Sequence, residues 1–105
     1  MTNQTLKAKF NKAILDAVEE SKTLGYNPTR FIQMFYETNQ DGVELVKSLV
    51  LGKTKVTTGL ENLWEIGRLD LTLEAKVIRP EFQELFESEI IETCTKRLKK
   101  FGYKL

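Results

Sequence analysis

Histidine is missing from the 105 residues, and cysteine occurs once, at Cys94. The first absence removes Ser-His-Asp and Cys-His catalysis, histidine-ligated zinc and histidine pH switching. The second removes any internal disulfide and any thiolate zinc site within one chain, and it fits a reducing compartment. No apolar run approaches the ~20 residues that a bilayer needs, and the N-terminal stretch is too short and too polar for a signal peptide. A cytoplasmic location is therefore expected. Two prolines, six glycines, 41% hydrophobic and 30% charged residues describe a globular chain. Its length fits one domain, residues 1–105. Net charge is +1, with six basic and six acidic groups in residues 1–52 and ten and nine in 53–105. That balance gives no footing for non-specific binding to nucleic acid.

What is present is helical periodicity. Leu6, Phe10, Ala13, Ile14, Ala17, Val18 and Leu24 recur at three- and four-residue spacing. Gly25 offers a left-handed stop and Tyr26 can fold back on the helix. Asn27 as N-cap and Pro28 at the first helical position predict a second helix. It carries an aromatic face of Phe31, Phe35 and Tyr36. "NQDG" breaks it, and a third helix bearing Val43, Leu45, Val46, Leu49 and Val50 runs to Gly52. The polar connector 53–58 ends in Thr58, which with Glu61 matches a capping box. A fourth helix with Leu60, Leu63, Trp64 and Ile66 closes at Gly67.

"GRLDLTLEAKVI" (67–78) alternates polar and apolar residues as a half-buried strand does. A strand needs a partner, and the chain offers almost none. With Asp70 or Thr72 as cap, Glu74 near the positive end of the dipole and Pro80 as terminator, the residues predict a short helix over 71–79. The strand is the competing reading. Residues 80–86 predict another helical turn with Phe82, Leu85 and Phe86 inward. Ser88 caps a last helix on which Ile91, Cys94, Leu98 and Phe101 align. The expected fold is all-α, one compact domain of five to seven helices, with long first and last helices and short ones between.

The pattern L-W-E-x-G-R-L-D-L-T-x-E-A over 63–75, then Pro80, Phe82, Leu85 and Phe86, then Arg97, Leu98, Gly102 and Tyr103, resembles a family of small uncharacterised bacterial proteins and domains. The earlier "GYNPTRFIQM" resembles the start of the same family pattern. The resemblance covers roughly residues 25–103. It implies a bacterial, soluble, helical protein and carries over no catalytic role.

Four groups of residues are candidates for function. Arg68, Asp70 and Glu74 form either a ligand-facing polar corner or, as the spacing favours, a structural one. There Asp70 caps a helix and Arg68 pairs with Glu65 or Glu74. Glu61 with Glu65, and Asp70 with Glu74, are carboxylate pairs of the kind that hold magnesium. Without histidine they read better as solvated faces. Lys96, Arg97, Lys99, Lys100 and Lys104 form a basic end that offers phosphate contacts, with Phe101 and Tyr103 for stacking. Five acids between 81 and 92 precede it, and acids first with bases last is also the order that a helix dipole favours. Phe31, Phe35, Tyr36 and Trp64 are either core or partner surface. Cys94 reads as a buried small hydrophobe. No catalytic residue, metal or cofactor is expected. The expected function is a non-enzymatic interaction module that binds a protein or itself, with nucleic-acid binding through the basic end as the alternative.

Overall fold

The computed structural model describes residues 3–52 and 58–104. Among them lie six α-helices, two 3-10 turns and no strand. The helices are α1 (Asn3–Thr23), α2 (Thr29–Glu37), α3 (Gly42–Val50), α4 (Leu60–Glu65), α5 (Leu73–Val77) and α6 (Ser88–Lys100). The 3-10 turns are Leu69–Leu71 and Gln83–Leu85. The all-α expectation holds, and α1 and α6 are the long members, with 21 and 13 residues.

Helix α1 is the spine. Leu6, Phe10, Ile14, Ala17 and Val18 are buried at the expected spacing, and Ser21 joins them by donating its hydroxyl to the Ala17 carbonyl at 2.7 Å. Leu24, which continues the pattern, is exposed beyond the helix end. The Phe10 ring meets Phe82 and Phe86 edge-on, with both centroid distances 5.1 Å. This places the 80–86 segment under the first helix and buries two of its three expected core residues. Helix α3 starts at Asp41, whose carboxylate accepts from Val43 N at 3.1 Å and Glu44 N at 3.3 Å. It approaches α1 so closely that Gly42 N donates to Asn11 Oδ1 at 2.8 Å. Both "GY" stops close their helices alike, Tyr26 N reaching Ser21 O and Tyr103 N reaching Leu98 O, each at 3.0 Å.

Several boundaries differ from expectation. Helix α2 begins at Thr29 with Pro28 as its N-cap, because ψ of 67° at Pro28 keeps it outside the helix. Helix α3 ends at Val50 rather than Gly52. Ser88 is the first residue of α6, and the N-cap is Glu87. Thr58 and Glu61 make no capping box: the N-cap of α4 is Gly59, and the Thr58 hydroxyl donates to Glu74 instead. Residues 53–57 of the connector lie outside the described residues. On α6 the buried stripe is Ile90, Cys94 and Leu98, with Ile91 and Phe101 at its border.

The alternating stretch is helical, in two pieces. The 3-10 turn Leu69–Leu71 and α5 are separated by Thr72, whose backbone is extended at φ −71°, ψ 156°. Thr72, rather than Asp70, is the cap: its hydroxyl accepts from Ala75 N at 3.1 Å and donates to Leu69 O at 2.7 Å. Every side chain from Leu71 to Val77 is buried, polar ones included. Helix α5 packs against both α1 and α6 and exposes no face to solvent. A helix enclosed on all sides has no amphipathic stripe, so its sequence lacks the 3.6-residue period.

Candidate functional site

Trp64 to Ile78 forms a corner between α4 and α5, and its polar side chains bind one another, the backbone, α1 and α6. Helix α4 stops at Gly67, where φ of 74° favours glycine and lets Arg68 N return to Leu63 O at 2.8 Å. Arg68 then grips Asp70 with two donors, Nε to Oδ1 and Nη2 to Oδ2, each at 3.0 Å. Its Nη2 also donates to Glu20 Oε1 on α1 at 2.8 Å. The partners are Asp70 and Glu20, not Glu65 or Glu74 as the spacing suggested. The Arg68 fork holds the Asp70 carboxyl below its ordinary range, and the two carboxylates raise the guanidinium further.

Among the described residues, two charged side chains lie inside the fold. Lys76 is buried and donates Nζ to the Asp70 carbonyl at 3.0 Å, while burial pushes its ammonium below the ordinary lysine value. Glu74 is 1% exposed. Its Oε2 accepts from Thr58 Oγ1 at 2.8 Å and from Arg97 Nη1 at 3.3 Å. Its Oε1 has no hydrogen-bond partner among the described residues. Cys94 is fully buried, and desolvation, with the Glu74 carboxylate second, pushes its thiol up to about 12. A thiol held protonated in that way is not a nucleophile.

The four aromatic candidates separate. Phe31 and Phe35 are core residues and leave the partner-binding set. Tyr36 is 55% exposed, edge-on to Phe35 at 5.9 Å, and lines a shallow groove with Leu15 and Glu19 of α1. Trp64 is 49% exposed and tilted against Phe101 at 5.4 Å. Ile66, two residues on, is 41% exposed. Tyr36 and Trp64 therefore lie in different surroundings, one beside α1 and one at the chain's C-terminal end.

The basic candidates separate too. Arg97 turns inward to Glu74, while Lys96, Lys99, Lys100 and Lys104 stay exposed. Among the described residues no three acids or thiols cluster as metal ligands. A cavity between α1, α4 and the 3-10 turn, lined by Ala17, Ser21, Tyr26, Thr58, Leu63 and Leu71, measures about 20 Å³, room for a single water. No described helix is long and apolar enough to cross a membrane.

The buried Glu74–Arg97 contact and the buried Lys76 escaped the sequence reading. Alternation over 69–77 was the available signal: a run of mixed polarity with no consistent outer face fits a segment enclosed on every side. Comparison with family models, curated proteins and solved structures finds no match for this chain.

Proposed function

We propose that this protein is a non-enzymatic interaction module that recognises a protein partner through the surface around Trp64. The observation that carries this reading is a large aromatic ring, half in solvent, packed against Phe101 and flanked by exposed Ile66. Ordered, partly exposed aromatics are the anchors that protein interfaces use, because they bring large contact area with little side-chain entropy to lose. The charged residues nearby do not compete for this role. Arg68, Asp70, Glu74 and Lys76 are engaged with one another, with the backbone or with other helices. The nucleic-acid alternative is weaker, since Arg97 is committed to Glu74 and the remaining lysines follow five exposed carboxylates along the chain.

Quantitative capture from lysate on immobilised wild type, Trp64→Ala and Tyr36→Ala tests the reading. Proteins retained by wild type and by Tyr36→Ala, but lost with Trp64→Ala, are the expected result. A captured set indifferent to Trp64 would overturn it.

A further inference from the structure

The outer face of α6 carries Glu89, Glu92, Lys96 and Lys99, separated by three, four and three residues. That spacing places all four on one stripe, with about 15 Å between its ends. All four are exposed, and none makes an ion pair with a described residue. Even Glu92 and Lys96, in the favourable i, i+4 order, leave each other unpaired. The stripe runs along the side away from Ile90, Cys94 and Leu98, so it faces outward from the domain.

Dipole matching accounts for the ends of this stripe but not for its middle. The helix field fades within the first and last turns. Glu92 is the fifth residue of α6 and Lys96 the fifth from its end. Lys96 also has Lys99 and Lys100 as like-charge neighbours at i+3 and i+4, an arrangement unfavourable to an isolated helix. An acidic counterpart would remove that repulsion.

The order acid, acid, base, base is its own complement when reversed. We infer that α6 pairs antiparallel with α6 of a second copy of this chain, about a two-fold axis crossing the helix midway between Glu92 and Lys96. Each Glu92 then faces Lys96 of the second copy and each Glu89 faces Lys99 of the second copy, four ion pairs from one self-complementary patch. The spacing is that of an antiparallel helix seam with charges where a coiled coil has apolar residues. The resulting dimer is weak and salt-sensitive, since exposed ion pairs contribute little each and are screened. This surface is separate from the one proposed for partner recognition: Trp64 lies against Phe101, which continues the buried stripe on the other side of the helix.

Sedimentation equilibrium of the full chain tests this, in about 0.01 M and about 1 M salt, where the screening length falls from ~30 to ~3 Å. Wild type is expected to exceed the 12.1 kDa monomer mass at low salt and return to it at high salt. Glu92→Lys and Lys96→Glu alone each weaken association about tenfold or more. Mixing those two variants restores it, and so does the double variant E92K/K96E, which keeps complementarity with the signs exchanged. Circular dichroism confirms that each variant is folded. A wild type that is monomeric at low salt, or single reversals that associate as wild type does, would overturn the proposal. Trp64→Ala is expected to associate as wild type does, so failure of the Trp64 reading and failure of this one are told apart.

Discussion

Arg97 Nη1 lies 3.3 Å from Glu74 Oε2, joining a guanidinium whose side chain is 35% exposed to a carboxylate that is 1% exposed. The two partners are unequal, and so are the consequences of losing either. Removing Arg97 leaves a buried carboxylate with only the Thr58 hydroxyl. Replacing Glu74 by Gln keeps the shape and lets Arg97 turn to water. We expect Arg97→Ala to cost about 2–3 kcal/mol, below the ~3–5 of a fully buried pair because Arg97 is partly solvated. Glu74→Gln should cost about 1 kcal/mol. Urea unfolding measures both, and a larger loss for Glu74→Gln would refute the asymmetry.

Stability should fall in alkali because of Cys94. Its thiol, ordinarily near 9.0, is pushed up to about 12 by burial. Between those values the unfolded chain has released the proton that the folded chain retains. The folded state then binds more protons, so stability drops as pH rises, by up to ~1.4 kcal/mol per pH unit. Lys76 acts with the opposite sign. Its lowered ammonium value makes burial a penalty that is relieved as pH approaches the ordinary 10.5. Unfolding of Cys94→Ala across the same range isolates the thiol. The variant should lose less stability than wild type above pH 9, and parallel curves would show that Cys94 does not titrate this way.

Gly42→Ala should destabilise although it adds a better helix former. A methyl there would meet Asn11 Oδ1 and Ile14 Cδ1 at 2.6 Å and Phe10 at 2.9 Å. The usual gain of about 0.5–1 kcal/mol from replacing glycine in a helix is outweighed by the ~1–3 kcal/mol of overpacking. A thermal melt shows the sign directly, and a raised midpoint would mean that α1 and α3 separate easily.

Thr72→Val keeps the volume and removes the hydroxyl that both caps α5 and binds Leu69 O. A loss of about 1–2 kcal/mol is expected, with Thr72→Ser retaining most of the stability. A Val variant as stable as wild type would refute the cap, and a Ser variant that loses as much as Val would show that the methyl matters as much as the hydroxyl.

The long helices were legible because each has one wet and one dry face: Phe10, Ile14 and Val18, or Ile90, Cys94 and Leu98, recur at helical spacing. The short helices were legible in place but not in their bounds. The N-caps of α2 and α4 lie one residue beyond Asn27 and Thr58, because a cap depends on where the chain enters the helix, as at Pro28, whereas Thr72, one of the two caps offered for α5, is the cap. For the aromatic candidates, composition cannot separate Phe35 from Tyr36, adjacent in sequence, one in the core and one in solvent. Of the two partners of Arg68, Glu20 was missed because it is 48 residues away, and the role of Arg97 was missed because Glu74 had no apparent reason to be buried.

The charges of the corner and its neighbours hold the fold, and Trp64 lies outside that framework. The most direct test is the unfolding free energy of Trp64→Ala and Arg97→Ala, each alone and both combined. Each single loss is expected at about 2–3 kcal/mol, for Trp64 from the roughly 100 Å² of ring surface it buries and for Arg97 from the buried carboxylate left behind, and the two are expected to add within ~0.5 kcal/mol in the double variant. A double variant that departs from the sum by more than ~1 kcal/mol, or an Arg97 variant as stable as wild type, would contradict it.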